Sequence, residues 1–270
     1  MTLSAAAERV TIPAVREAKK HRRLVALTAL DAPSADWCVR AGVDIVLVGD
    51  SLGMVSLGFR DTTHVSMEAM VQATEACVRG MGEAPRPLLV ADLPDNGLSD
   101  PVRSSRRLLE AGAAAVKIEC HEMGMKAIEA ARSAGIEVMA HVGLLPQEAA
   151  REGGYKLKGV TEEESNRILE VARRAEGLGC FSCVIEKVTR RVGKLVTDAL
   201  SIPTIGIGAG PDCDGQILVL YDMLGIFERF HPKFVRRYAA VGTQAVSAIS
   251  QYAEDVRNGS FPSGKESFES

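Results

Sequence analysis

Several short apolar runs in this chain stop on residues able to do chemistry. Val48-Gly49 leads into Asp50-Ser51, Ala91 into Asp92, and Ala140 into His141. Lys117-Ile118-Glu119 and Ile185-Glu186 close two more, and Gly206-Ile207-Gly208-Ala209-Gly210 closes another. Carboxylates avoid burial unless they are paired or bound to metal, so acids at the ends of apolar runs need a reason. Asp50, Asp92 and Glu119 are hard oxygen donors of the kind that suits Mg2+, which also takes water and substrate oxygens. Capping of a following helix, or pairing with arginine, is the competing reading for each. Lys117 and Glu119 are two apart, so on a strand they share a face. A lysine facing inward needs an anion, either a neighbouring carboxylate or a substrate's. A Schiff-base role fits poorly beside a metal cluster that already supplies an electrophile. His141 reads as a metal ligand, a substrate donor or an ordinary buried histidine. Glu186, a carboxylate facing the metal site without binding the ion, reads as a general base, with a supporting salt bridge as the alternative. The Gly206–Gly210 spacing is not the dinucleotide fingerprint, and a tight packing turn explains it as well as a phosphate loop does.

The runs that must position these residues are Leu24–Leu30, Ile45–Val48, Leu88–Ala91, Ala115–Ile118, Val138–Ala140, Ser182–Ile185, Thr204–Ile207 and Ile217–Leu220. They are rich in Val, Ile and Leu and do not alternate with polar residues, as strands covered on both faces require. Between them lie amphipathic stretches: Met67–Arg79, Val102–Ala111, Lys126–Ala134, Glu162–Leu178 and a long closing helix at Pro232–Ala253. Thr161 and Glu164 form a capping-box pattern, and Gly80, Gly112, Gly135, Gly179 and Gly225 read as helix stops. Strict strand–helix alternation predicts an α/β fold, a (β/α)8 barrel in one domain over residues 1–270. An open doubly wound sheet is the runner-up. The barrel is preferred because chemistry-capable residues follow many strands, whereas an open sheet concentrates them at one switch point.

Composition limits the alternatives. The 270 residues are 46% hydrophobic, with 32 basic and 35 acidic side chains and a formal charge of −3. That balance lacks the basic footprint of a nucleic-acid binder. No apolar run approaches the ~18 residues of a membrane span, and no secretory signal pattern opens the chain. The six cysteines are scattered. Cys180 and Cys183 have C-x-x-C spacing without a second pair or a redox-motif context, so buried thiols in a reducing cytoplasm are expected.

The segments 48–54 (Val-Gly-Asp-Ser-Leu-Gly-Met), 91–94 (Ala-Asp-Leu-Pro), 116–119 (Val-Lys-Ile-Glu), 141–144 (His-Val-Gly-Leu), 153–156 (Gly-Gly-Tyr-Lys) and 205–210, followed by Asp214-Gly215-Gln216, resemble the ketopantoate hydroxymethyltransferase family. The likeness runs from about Leu24 to Phe268. It implies a TIM barrel of the phosphoenolpyruvate mutase/isocitrate lyase type. It also implies transfer of a one-carbon unit from 5,10-methylenetetrahydrofolate to 3-methyl-2-oxobutanoate, giving ketopantoate for pantothenate synthesis. By the same resemblance Asp50, Asp92 and Glu119 match metal-site acids for Mg2+. Ser51 and Lys117 match contacts to the substrate carboxylate, with Asp50, Asp92 and His141 also lining the substrate. Glu186 matches the catalytic base. The family implies a cytoplasmic homodecamer with small-molecule partners, neither nucleic acid nor membrane. The chain departs from the family pattern at Asp95, Cys120-His121, Leu145 and Thr189. These departures keep open a metal-dependent lyase or aldolase of the same barrel group acting on another 2-oxo acid.

Overall fold

Eight parallel strands pair in sequence order, and the last closes on the first. They are β1 (Leu24–Thr28), β2 (Ile45–Val48), β3 (Leu88–Asp92), β4 (Ala115–Glu119), β5 (Val138–Gly143), β6 (Ser182–Glu186), β7 (Thr204–Ile207) and β8 (Gly215–Leu218). This computed structural model describes residues 9–83, 86–149 and 151–268. The helices, in chain order, are α1 (Ile12–Glu17), α2 (Ala32–Arg40), α3 (Leu52–Val55), α4 (Met67–Met81), α5 (Pro101–Glu110), α6 (Glu122–Ser133), α7 (Pro146–Ala149), α8 (Glu162–Gly177), α9 (Arg190–Ala199), α10 (Leu220–Met223) and α11 (Val241–Asn258). The chain divides after Val219, where the sequence reading placed a single domain. One compact unit carries all eight strands with α1–α9, and the other, from Leu220, carries α10 and α11.

Strand parity decides what the barrel contains. Leu24, Ala26, Ile45, Leu47, Leu88, Val90, Ala115, Met139, Val184, Ile205 and Ile217 form one buried cluster. On the same parity, one or two steps further along, stand Asp92, Lys117, Glu119, His141 and Glu186. The apolar residues therefore fill the barrel's lower layers, and the ionisable ones cap them at the carboxyl end. Val15 and Ala18 join the cluster from the α1 side and plug the amino end. Lys19 is pinned there by Asp214 at 2.8 Å and by the Thr197 carbonyl at 3.1 Å.

Side-chain caps start α4, α5 and α8 within a residue of the expected positions, at Ser66, Asp100 and Thr161, whereas α6 starts at Glu122 and not Lys126 because His121 caps it. Thr161 accepts from the Glu164 amide, and Glu164 reaches back to the Val160 amide. Three further expectations need correction. The closing helix is Val241–Asn258 and not Pro232–Ala253, because Tyr238 and Val241 donate to the Met223 and Leu224 carbonyls rather than to their own helix. β8 begins at Gly215, which the search for apolar runs passed over; a Cβ there would stand 2.6 Å from the Leu24 carbonyl oxygen. Gly80 lies inside α4 and stops nothing. It lets α2 approach, since a Cβ would sit 2.1 Å from the Ala32 carbonyl oxygen. Gly206 and Ile207 finish β7, and the chain turns at Gly208–Gly210, with both of those glycines at positive φ. All six cysteines are buried free thiols. Among the described residues, no helix is long and apolar enough to cross a membrane.

The close contact at Gly193 gives a test of this packing. A Cβ at Gly193 in α9 would lie 2.2 Å from the Ala209 carbonyl oxygen, whereas one at exposed Gly177 would meet nothing within 4 Å. Gly193→Ala is expected to lose about 1–3 kcal/mol in urea denaturation by overpacking. Gly177→Ala should gain roughly 0.5 kcal/mol from chain entropy. Equal effects at the two sites would contradict the packing.

Candidate active site

Register alone sets four of the site residues side by side. Asp92 on β3 pairs with Lys117 on β4, and Glu119 on β4 pairs with His141 on β5. Glu186 on β6 pairs with Gly143. Asp50 arrives from the turn after β2, and its amide donates to Asp92 Oδ2 at 3.0 Å. Gly49 leaves room for this approach, because a Cβ there would come within 3.0 Å of Ser51 Oγ and 3.6 Å of Asp92 Oδ2. Ser51 starts α3 without a side-chain capping bond. Asp50 does not cap α3 either; its carboxylate accepts from Gln147 Nε2 at 2.9 Å.

Asp50, Asp92, Lys117, Glu119 and His141 are all less than 10% exposed. Lys117 Nζ forms an ion pair with Asp92 Oδ1 at 2.9 Å and stands 3.1 Å from His141 Nδ1. An ammonium can only donate, so Nδ1 accepts and the imidazole proton sits on Nε2. That nitrogen lies 3.2 Å from Glu186 Oε2. The result is a line of groups, Asp92–Lys117–His141–Glu186, running around the barrel mouth.

Burial governs the protonation of this line. It pushes Asp50 up to about 7, with Asp92 adding to the push and Lys117 and the Gln147 bond opposing it. It raises Glu186 to about 7 against the pull of Lys117 and Lys187. Glu119 is driven well above the usual carboxylate range by burial and then by Asp50. His141 is held neutral, its pKa pushed far down by burial and by the Lys117 charge. Burial works against the Lys117 charge, but Asp92, Asp50 and Glu119 outweigh it and the pKa rises. One buried atom here, His141 Nε2, has no aligned hydrogen-bond partner. Leaving such a group unsatisfied typically costs ~1–3 kcal/mol, and a bound ligand with an acceptor oxygen removes that cost.

Gln147 is the residue that the sequence reading missed. Its amide donates to Glu119 Oε2 at 3.1 Å, and its side chain donates to Asp50 and to the Leu93 carbonyl. It therefore ties the loops after β2, β3, β4 and β5 together. The signal available was its place in the loop after His141, where a buried glutamine follows proline. Asp50, Asp92 and Glu119 supply the oxygen donors that could hold a cation. No three His, Cys, Asp or Glu side chains among the described residues are grouped so as to enclose one.

Breaking the ion pair tests this arrangement. Lys117→Met leaves Asp92 buried and uncompensated, with an expected loss of about 3–5 kcal/mol in urea denaturation. Adding Asp92→Asn to the same chain should recover most of it. A single-variant loss below about 1 kcal/mol would mean that the pair is not desolvated.

A family profile described as ketopantoate hydroxymethyltransferase matches residues 9–264. A 3-methyl-2-oxobutanoate hydroxymethyltransferase from Thermus thermophilus is 45% identical over 267 residues, covering 96% of this chain and all of that protein. The corresponding protein of Oleidesulfovibrio alaskensis is 44% identical, covering 99% of this chain and 93% of its own. Among solved structures, phosphonopyruvate hydrolase in complex with oxalate and Mg2+ superposes with a TM-score of 0.61 at 17% identity, covering 94% of this chain and 92% of that one. A 2,3-dimethylmalate lyase of the phosphoenolpyruvate mutase/isocitrate lyase superfamily superposes with a TM-score of 0.60 at 17% identity, covering 95% and 91%. The structural likenesses establish the barrel type.

Proposed function

The chain belongs to the ketopantoate hydroxymethyltransferase family, and from the geometry of its barrel mouth we propose how it transfers a hydroxymethyl group from 5,10-methylenetetrahydrofolate to 3-methyl-2-oxobutanoate. The observation that carries the reading is Glu186. This desolvated carboxyl is poised near neutral pH beside a neutral imidazole whose Nε2–H has no aligned acceptor. A general base works best when its pKa lies near the working pH.

The donors fit a divalent cation. Asp50, Asp92 and Glu119 are buried oxygen donors that share Lys117 as counter-charge. Burial with neighbouring carboxylates raises Asp50 (Asp92, Glu186) and Glu119 (Asp50, Glu186, Asp92), which a nearby positive charge relieves. Mg2+ commonly takes only one or two carboxylates and fills its other positions with water and substrate, so a closed three-carboxylate cage is not required. Asp50, Asp92 and Glu119 would hold it. Bound there, the ion supplies electrophilic polarisation of a 2-oxo acid's carbonyl and carboxylate oxygens.

The chain's own residues do the rest. Ser51 Oγ and the Lys117 ammonium bind the substrate carboxylate and orient C3 toward β6. Glu186 removes the C3 proton, and the electron pair left behind delocalises into the carbonyl. The carbon then attacks the methylene carbon of the folate iminium, and water completes the hydroxymethyl group as tetrahydrofolate leaves. His141, neutral and fixed by Lys117, donates its Nε2–H to the new hydroxyl oxygen. A homodecamer in the cytoplasm belongs to the same reading. It is supported by six unpaired thiols and by α11, which exposes Val246, Ile249, Tyr252 and Val256.

The base assignment is checked by isotope exchange. Glu186→Gln should still bind Mg2+ and the 2-oxo acid but exchange its C3 proton in deuterium oxide about 10²–10⁴ more slowly. Exchange at the wild-type rate removes Glu186 from the base role.

The raised carboxyl pKa values give a second test. A folded-state pKa above the unfolded value contributes stability at low pH that is lost as pH rises through the folded pKa. For Asp50 and Glu186 that loss runs from their ordinary values of about 4 up to about 7 and levels off above it. His141, neutral when folded and protonated when unfolded below about 6.5, opposes part of that loss but is one group against two carboxyls. Metal-free protein should therefore lose melting temperature between about pH 5 and 7 and change little above that. Mg2+ competes with those protons, so its stabilisation should grow over the same range. At saturation near 100 times Kd it reaches about 2.7 kcal/mol, or roughly 5–10 °C in a chain of this size. A Mg2+ shift independent of pH would place the ion away from these carboxyls.

A further inference from the structure

Immediately after Glu186 the backbone does something that a lysine rarely does. Lys187 has φ +45°, in the left-handed region. Glycine takes that conformation freely, whereas a side chain there is strained. Such strain persists where the surrounding structure overrides it, often beside active sites. The Lys187 amide is held by the Ile207 carbonyl at 2.8 Å, and its own carbonyl accepts from the Lys158 amide at 3.0 Å. Its Nζ donates to the Tyr155 carbonyl at 2.5 Å. Two residues on, the Thr189 amide donates to the Lys158 carbonyl and Thr189 Oγ1 to the Gly159 carbonyl, each at 3.1 Å. The loop 153–159 is thus stitched to the segment after β6 by four bonds, one of them from the lysine side chain.

The stitched loop carries Tyr155 toward the site. Its ring is half-buried, and its hydroxyl stands 3.4 Å from Met54 Sδ, one turn after Asp50-Ser51. Burial raises the phenol to about 12, and Asp61, Asp50, Glu186 and Glu119 all add to that rise. The hydroxyl thus meets the helix that begins at Ser51, directly after Asp50.

We propose that Lys187 is a positioning residue that holds the 153–159 loop, and with it the Tyr155 ring, closed against Met54 as a wall over the 2-oxo acid. This rests on the functional reading above and adds to it the residue that sets the closed population of the site. When only a fraction of molecules is competent to bind, apparent affinity falls by that fraction. Loss of the clamp then raises KM and leaves the turnover of closed complexes intact. A folding defect would instead lower the active fraction and hence kcat.

The experiment uses the full-length protein with Mg2+. Lys187→Met removes the ammonium and keeps most of the side-chain stem. Lys187→Gly also removes it but relieves the backbone strain, so it should fold at least as stably as wild type. Lys187→Arg restores a cationic donor. The expected result is a KM for 3-methyl-2-oxobutanoate raised about 5–20-fold in both the Met and Gly variants, an order-of-magnitude range for a lost closed population. Their kcat, read on the plateau of the pH profile where Glu186 is ionised in every variant, should stay within about 2-fold, and Arg should recover most of the KM. Hydrogen exchange, which needs no substrate, should show the Lys158 and Thr189 amides exchanging faster in Met and Gly than in wild type. Unchanged KM and unchanged exchange in the Gly variant overturn the proposal, as does a fall in kcat alone. Wild-type protein that fails to exchange the C3 proton overturns the functional reading. The amide exchange still decides the clamp in that case.

Discussion

The structure depends on one desolvated ion pair, Lys117 with Asp92. A lysine and four carboxyl groups share the mouth of a barrel from which most water is excluded, and a bare charge there is expensive. The pair solves part of that problem and creates the chemistry of the rest. By fixing a positive charge next to His141, it holds the imidazole neutral and sets its tautomer. By using Asp92 as the counter-ion, it leaves Asp50 and Glu119 without a full one, and burial lifts both. Glu186 is the acid of the group furthest along the line, and it ends near neutrality.

Much of this is legible in the chain before any fold is known. Parallel strands buried on both faces read as apolar runs, and their period of two assigns Lys117 and Glu119 to one face. Residues at the ends of such runs meet at one rim only if the sheet closes, and closure is read from their following many strands where an open doubly wound sheet would gather them at one switch point. Gln147 and Lys187 escaped the reading for a common reason. Each acts through backbone groups distant in sequence, the Leu93 carbonyl for one and the Tyr155 carbonyl for the other. A carbonyl carries no side-chain identity, so nothing in the amino-acid types marks it as a partner. The same limitation explains the last helix. Tyr238 and Val241 have residue types that suit a helix, but their amides are claimed by carbonyls of the preceding turn.

Glycine is where backbone geometry surfaces again in the sequence. Gly143 ends β5 at φ +95°, and a Cβ there would stand 2.3 Å from the Glu186 carbonyl oxygen. The same carbonyl accepts from the Leu144 amide at 2.8 Å. The strand carrying the base and the strand carrying His141 can therefore approach closely only because no side chain separates them. That approach brings His141 Nε2 within 3.2 Å of Glu186 Oε2.

A second buried ion pair at the opposite end of the barrel shows what separates a structural site from a chemical one. Asp214 accepts from Lys19 Nζ at 2.8 Å, from the Thr204 amide at 2.9 Å and from Thr204 Oγ1 at 3.0 Å. Thr204 Oγ1 in turn meets Thr197 Oγ1, and Lys19 also holds the Thr197 carbonyl. Each of these groups has a partner, so the network locks α1 to β7 and β8 and has no need of a ligand. Lys117 and Asp92 are as deeply buried, yet His141 Nε2 beside them has no aligned partner, and Asp50 and Glu119 share the one lysine charge. Residue type and burial are the same at both ends, and what differs is whether the surrounding groups are satisfied. A lysine–aspartate pair inside a barrel says little about function until its neighbours' donors and acceptors are followed. Here the unsatisfied His141 Nε2 stands at the carboxyl end of the strands, where barrel enzymes place their chemistry.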